Sequence, residues 1–505
     1  MVIEVGAGYF RFHSQGATLL SAGVPYEVAN TFAEADLFDI HFVQSADVLT
    51  LVHPGYPPQE LRRLGALSWS RTTISFAAAI SPPASVTATP TGAGTIAYAY
   101  VVTAIAADGI SESAASTAGT CTGNLFTTGN KIDVTWPAAT GATRYNVYKM
   151  SGGLYGYIGQ TATLALVDDN IAADLSKTPP IYDTVFASTS NYPAAASYFE
   201  QRRCFAGTVT QPQNIWMTKS GTESNVSYSL PIRDDDRIAF RVAAREANTI
   251  RHIVPLTQLL LLTSAAEWRV TSVNSDAITP STISVRPQSY VGASNVQPVI
   301  INNTLIYGAA RGGHVRELAY SWQANGFVTG DLSLRAAHLF DTFDIVDMAY
   351  SKAPQPVVWF VSSSGNLLGL TYVPEQQIGA WHWHDSAGGV FESCCVVAEG
   401  GEDVLYVIVR RTINGGSVRY VERLSSRDFA TPADSFFVDC GLTYSGSPAT
   451  VISGLDHLEG EEVSILADAC VHPRRVVDGG AITLDQEASK VHVGLPITAD
   501  IKTLP

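Results

Sequence analysis

A repeat with one interruption constrains this chain more than any other feature. Six times, a short apolar run is followed by a small-residue turn and a second, more polar strand. The runs open at Asp47-Val48-Leu49, Cys204-Phe205-Ala206, Leu259-Leu260-Leu261, Leu305-Ile306-Tyr307, Val357-Val358-Trp359 and Leu405-Tyr406-Val407. From Cys204 onward the steps are 55, 46, 52 and 48 residues. The step from Val48 to Cys204 is 156 residues, and removing the 105 residues of 81–185 leaves 51. A period of ~40–50 residues with several strands per unit is the signature of a β-propeller. The expected fold is therefore all-β: a propeller interrupted by an inserted domain.

Composition narrows what such a fold does. The chain has 505 residues, enough for two to four domains, and 46% hydrophobic content allows a large core. Charged residues make up 15%, below the ~25% usual for soluble domains. Surface buried against other chains would explain this, and so would a β-rich use of Ser and Thr in place of Lys and Glu. The formal charge of −15 argues against a basic grip on nucleic acid. It still allows a wall past which DNA slides without sticking. The six cysteines form no CxxC and no zinc-spaced cluster, and the adjacent pair Cys394-Cys395 reads as buried thiols of a reducing compartment. The opening Met1-Val2-Ile3-Glu4 has no signal-like character, and Leu259–Leu262 is far too short to span a bilayer. A soluble protein made in the cytoplasm is expected.

Four segments emerge. Residues 1–80 hold an N-terminal β region, with a strand at Tyr9–His13, and the first propeller unit. Its strand from Val48 is expected to stop at His53-Pro54-Gly55-Tyr56-Pro57-Pro58, where prolines block ladder hydrogen bonds. Residues 81–185 lie between Ser81-Pro82-Pro83 and Thr178-Pro179-Pro180 and are rich in Ala, Thr, Gly and Ser. Strands at 98–105, 132–136 and 144–149, with Trp136 and Tyr145-Asn146-Val147-Tyr148, resemble a fibronectin type III sandwich. Residues 186–425 carry the remaining units, with Asn414-Gly415 as a strong hairpin signal. Residues 426–505 read as a small C-terminal β domain with a turn at Asp478-Gly479-Gly480. The one candidate helix is short, over 329–340.

Several constellations could carry chemistry. In Trp381-His382-Trp383-His384-Asp385, a strand puts His382 and His384 on one face, as two metal ligands would be. No third ligand is evident. The plainer reading packs both tryptophans on the core and leaves the histidine side polar. Asp234-Asp235-Asp236 lacks the spacing and glycine of a calcium loop and reads as a turn with Arg neighbours. Gly312-Gly313 and Gly415-Gly416 read as turns, not phosphate loops. No GxSxG, HExxH or Ser/His/Asp set appears. Two carboxylates flanking a channel would suit a glycosidase, and Glu267, Glu317, Asp347 and Glu422 are available, but nothing singles out a pair. Arg410, Arg411, Arg419 and Arg423 are expected to pair with acids such as Glu422.

Longer stretches are more specific. These are Ser45–Pro58, Gln201–Gly207 with Gln211–Trp216, Arg286–Gly292, Leu368–Tyr372 ahead of Trp381–His384, Val409–Gly415, and Gly454–Gly460. In this order they resemble the tail nozzle proteins (tail tubular protein B class) of short-tailed bacteriophages. The likeness spans most of the chain outside 81–185, and an insert at that place is similar to one that some nozzle proteins carry. Members of that family usually extend beyond the stretches that match Ile3–Phe12 and Val491–Pro496 here. The resemblance implies a structural virion protein: a homo-hexamer forming the distal tail tube, assembled in the host cytoplasm and docked below an adaptor on the portal. It implies tail fibres or spikes on its sides, double-stranded DNA passing through the lumen, and contact with the host envelope at infection. It implies no catalytic, cofactor or metal residue, and assigns no residue to lumen or interface. A net −15 suits a lumen that repels DNA phosphates. The insert is expected on the outer wall, because it would obstruct a channel.

Two other readings stand beside this one. A propeller enzyme acting on polysaccharide needs convergent carboxylates. A glycan-binding protein needs near-identical aromatic pockets, whereas these repeats share pattern without identity.

Overall fold

The computed structural model describes residues 1–501 other than 275, 377 and 414. The chain is nearly all β and divides into two compact units, 39–293 and 1–38 with 294–505. The 1–80 stretch is thus shared between the units.

Unit 39–293 contains three four-stranded antiparallel meanders, over 41–73, 195–241 and 250–289. The other unit contains two more, over 299–331 and 345–384, and a three-stranded one over 389–423. Each of the six apolar runs lies on the second strand of its meander: Val48–His53, Arg202–Ala206, Leu259–Thr263, Thr304–Gly308, Val357–Ser362 and Glu402–Ile413. The apolar runs within these strands are continuous where both faces are covered, while Arg202–Ala206 and Glu402–Ile413 also carry charged side chains. Every residue of Arg202–Ala206, Leu259–Thr263 and Val357–Ser362 is buried.

Side-chain alternation shows how neighbouring sheets share these strands. In unit 39–293, Phe205 points towards Val52 of the first meander and Phe76 just beyond it, while Cys204 and Ala206 join Leu259 and Leu261 of the third. In the other unit, Val358 and Phe360 pack with Ile306 and Val315 of the fourth meander. Val357, Trp359 and Val361 turn instead to Leu405 and Val407 of the sixth. The N-terminal strands Val2–Gly6 and Tyr9–Ser14 form a small sheet whose Val2 packs on Val404 and Tyr406.

Residues 87–168 form a seven-stranded sandwich. Its first, fourth and seventh strands make one sheet, and the third, second, fifth and sixth make the other. Tyr100, Val102, Val134, Trp136, Tyr145 and Val147 fill the space between, with Trp136 tilted on Tyr145 at 5.6 Å between ring centroids. Residues 439–495 form a last four-stranded sheet around Val463, Ile465, Val491 and Val493, with the expected turn closed by the Asp478–Ala481 bridge.

Two local expectations change. Strand Val48–His53 stops at the expected turn, but Pro57 and Pro58 are not part of it: they lie inside the next strand, Tyr56–Gly65, opposite a register shift between Leu51 and His53, where a ladder bond is already lost. The candidate helix at 329–340 is instead the end of strand Gly326–Asp331 followed by 3-10 turns over Ser333–Leu339, kinked at Ala336. Asp331 starts those turns by accepting the Ser333 N–H at 3.0 Å, and Ala336 and Phe340 then plug the core. Ile413 stands opposite Gly416 in the expected hairpin, whose Asn414 lies outside the described residues. Among the described residues no helix is long and apolar enough to cross a membrane.

Candidate functional sites

The four available carboxylates are each engaged within their own surroundings. Glu267 is fully buried and accepts hydrogen bonds from the Ser289 hydroxyl and the Val291 N–H. Glu317 accepts from the Tyr372 hydroxyl at 2.6 Å. Glu422 takes both arms of Arg411, at 2.8 and 3.0 Å. Asp347 lies between the fifth and sixth meanders, where Oδ2 accepts from the Ser393 hydroxyl at 2.8 Å and the Cys394 N–H at 2.9 Å. Burial pushes its carboxyl up, against the pull of those donors and the Met348 N–H. Glu267 belongs to unit 39–293 and the other three to the second unit.

The two histidines do share a face. His382 Nδ1 lies 2.8 Å from His384 Nε2, and both rings meet Trp359. One ring nitrogen must donate and the other accept, so the pair holds a single proton between them. Burial, then the neighbouring His384 and Arg427, lowers His382 to about 4. Burial and Arg427 lower His384 as well. Among the described residues no group of three metal-binding side chains forms here or elsewhere. The two tryptophans part company. Trp381 packs on Phe340 and Phe360 and donates to the Leu332 carbonyl at 2.8 Å, while Trp383, nearer the end of an edge strand, is 53% exposed.

Asp234–Asp236 is a turn whose cations differ from those expected. Asp236 is buried and accepts from Ser229 and from the Arg233 N–H, while Asp235 pairs with Lys219 at 2.8 Å. Arg202 binds the carbonyls of Asp234, Asp236 and Thr218. The arginine group pairs with acids throughout: Arg410 and Arg419 with Glu392, Arg411 with Glu422, and Arg423 with Glu399. Gly312 and Gly313 are left-handed turn residues, and a side chain at Gly313 would strike the Phe343 carbonyl. Gly415 is likewise left-handed. Cys394 is buried, Cys395 is half-buried, and burial drives both thiols up.

Two buried polar clusters have no counterpart among the sequence-level candidates. Arg203 is fully buried, with Nη1 2.7 Å from Glu60, Nη2 bonded to Glu223 and its guanidinium over the Tyr198 ring. Burial raises Glu60, but hydrogen bonds from Arg203 and Arg62 prevail and hold it below the usual carboxylate range. In the sandwich, Asp168 is fully buried and receives Lys149, Tyr100 and two backbone N–H groups. Arg203 stands 143 residues from Glu60 and 20 from Glu223, and Asp168 stands 19 from Lys149 and 68 from Tyr100, so no local pattern marks these side-chain partners.

No protein-family model and no curated protein matches the chain. Among solved structures, a luciferin-regenerating enzyme aligns over 59% of this chain and 90% of its own, at 10% identity and a TM-score of 0.26. A likeness that low carries no argument about fold or activity.

Proposed function

We propose that this chain is a structural subunit of the tail nozzle of a short-tailed bacteriophage. It would assemble as a homo-hexamer around a channel for the genome, with an adaptor above it and fibres or spikes at its sides. In this reading the six meanders are propeller blades and residues 87–168 are a fibronectin type III-like module on the outer wall. The observation that carries it is the ordered series of motifs from Ser45–Pro58 to Gly454–Gly460, which resembles that family across the chain outside the insert. The repeated placement of the six apolar runs on second strands supports the blade assignment. Low charge supports extensive burial against other copies. The carboxylates that a polysaccharide-degrading propeller would need each hold hydrogen-bond donors, Glu267 and Glu422 from their own sheets and Glu317 and Asp347 from the next sheet.

Negative-stain imaging of the concentrated protein tests the reading. A six-fold ring with a hole wide enough for a ~20 Å duplex, on the scale of the DNA grooves, is expected. Isolated globular particles would count against it. A higher-resolution map would then locate the acids, and a lumen lined mainly by Lys and Arg would sink the proposed repulsion of DNA.

A further inference from the structure

The sandwich carries an arrangement that its packing alone does not require. Lys149 lies on strand Ala142–Ser151 of the four-stranded sheet, and Asp168 ends strand Ala165–Asp168 of the three-stranded sheet. Lys149 Nζ is 2.8 Å from Asp168 Oδ2, and the side chains are 10% and 0% exposed. The Tyr100 hydroxyl donates to the same Oδ2 at 2.7 Å. The other oxygen, Oδ1, accepts the backbone N–H groups of Asn170 at 2.9 Å and Ile171 at 2.8 Å. Lys149 Nζ also donates to the Ile171 carbonyl at 3.2 Å, and its position over the Tyr98 ring, 5.5 Å from the centroid, completes the enclosure.

These are the parts of an acyl-transfer site. An amine is held against a carboxyl group, two backbone donors are aimed at the oxygen that would carry negative charge in a tetrahedral intermediate, and a hydroxyl sits on the oxygen that would leave. We propose that Lys149 and Asp168 condense into an intramolecular amide that ties the two sheets of the sandwich together covalently. The Nζ–Cγ bond forms and the Cγ–Oδ2 bond breaks. Oδ2 departs as water with two of the three ammonium hydrogens, and Tyr100 relays a proton to it and is regenerated. Oδ1 becomes the amide oxygen and keeps its two N–H donors. The remaining Nζ hydrogen keeps the Ile171 carbonyl as its acceptor. The step is redox-neutral and needs no co-reactant. It also does not depend on the nozzle reading.

A covalent tie of this kind suits a module exposed to mechanical load, because the bridge closes the sandwich against shearing of one sheet from the other. The test is the intact mass of the full chain under denaturing conditions, followed by fragment mapping. The expected result is a chain lighter by one water than its encoded mass, with the peptide containing Lys149 joined to the one containing Asp168. Lys149→Arg keeps the cation but does not condense in this way, so it should return to its full encoded mass. A wild-type chain at full encoded mass overturns the proposal. So does a water loss that persists in Lys149→Arg or maps elsewhere in the chain.

Discussion

Two carboxylates at sheet junctions, Glu60 buried and Asp347 half-buried, show how differently this molecule handles the same chemistry. Glu60, in the first meander, is met by the guanidinium of Arg203 from the second, with Arg62 on its other oxygen. Asp347, between the fifth and sixth, is met only by neutral donors: the Ser393 hydroxyl and backbone N–H groups. Burial raises both carboxyls, and the cations reverse the outcome at Glu60 whereas nothing does at Asp347. An acid shielded from water without a countercharge is held by its hydrogen bonds and is disfavoured as an anion. A buried acid with one makes the cation structurally indispensable.

The largest expected effect breaks the first member of this pair. Arg203→Met should cost about 3–5 kcal/mol, because it leaves buried Glu60 short of a partner. Urea unfolding would show it, and a loss below about 1 kcal/mol would mean that Arg62 alone can carry the site.

Acid titration of stability should then separate the two carboxylates by sign. Glu60 has a folded value below its ordinary 4.5, so its contribution is present above that value and is lost as pH falls through the lower folded one. Asp347 has a folded value above its ordinary 3.8, so its contribution is present below 3.8 and is lost as pH rises through the folded one. His382 adds to acid loss, since its ring must charge on unfolding below its ordinary 6.5 while the folded ring resists down to about 4. His382→Gln should therefore flatten the stability profile between those limits.

Sharpening the comparison from the other side, Asp347→Asn should gain on the order of 1 kcal/mol at pH 7, the scale of single-group titration effects. An Asn oxygen can still receive the Ser393 and Cys394 donors. The gain should vanish as pH falls well below 3.8, where Asp347 is neutral in either state. A clear loss at pH 7 would show that the anion is favoured after all. Smallest of all, Arg419→Ala removes a half-exposed partner of Glu392 and Glu34 and should change stability by less than about 1 kcal/mol.

The sequence spoke clearly where burial was complete. Second strands such as Leu259–Thr263 are covered on both faces and so are apolar without interruption, which made their spacing readable. First strands such as Ala195–Phe199 and the three-residue Val299–Ile301 are short or only partly buried, so no long apolar run marks them in the sequence. The shared face of His382 and His384 followed from strand periodicity alone. Where Trp383 would point relative to cover did not, because that depends on what stacks beyond an edge strand. The strand from Val48 ends at the expected turn, but the proline pair at 57–58 belongs to the next strand, where a bulge supplies a place that needs no donor. Arg203 and Asp168 were invisible for a different reason: their partners arrive from other sheets, and only the folded chain brings the charges together.

Assembly is the central claim, and the mass of the native particle tests it most directly. Light scattering or native mass spectrometry of the full chain should find six copies of the 53.8 kDa subunit in one closed particle. A single 53.8 kDa species that persists at high concentration would contradict the nozzle reading and turn attention to glycan binding.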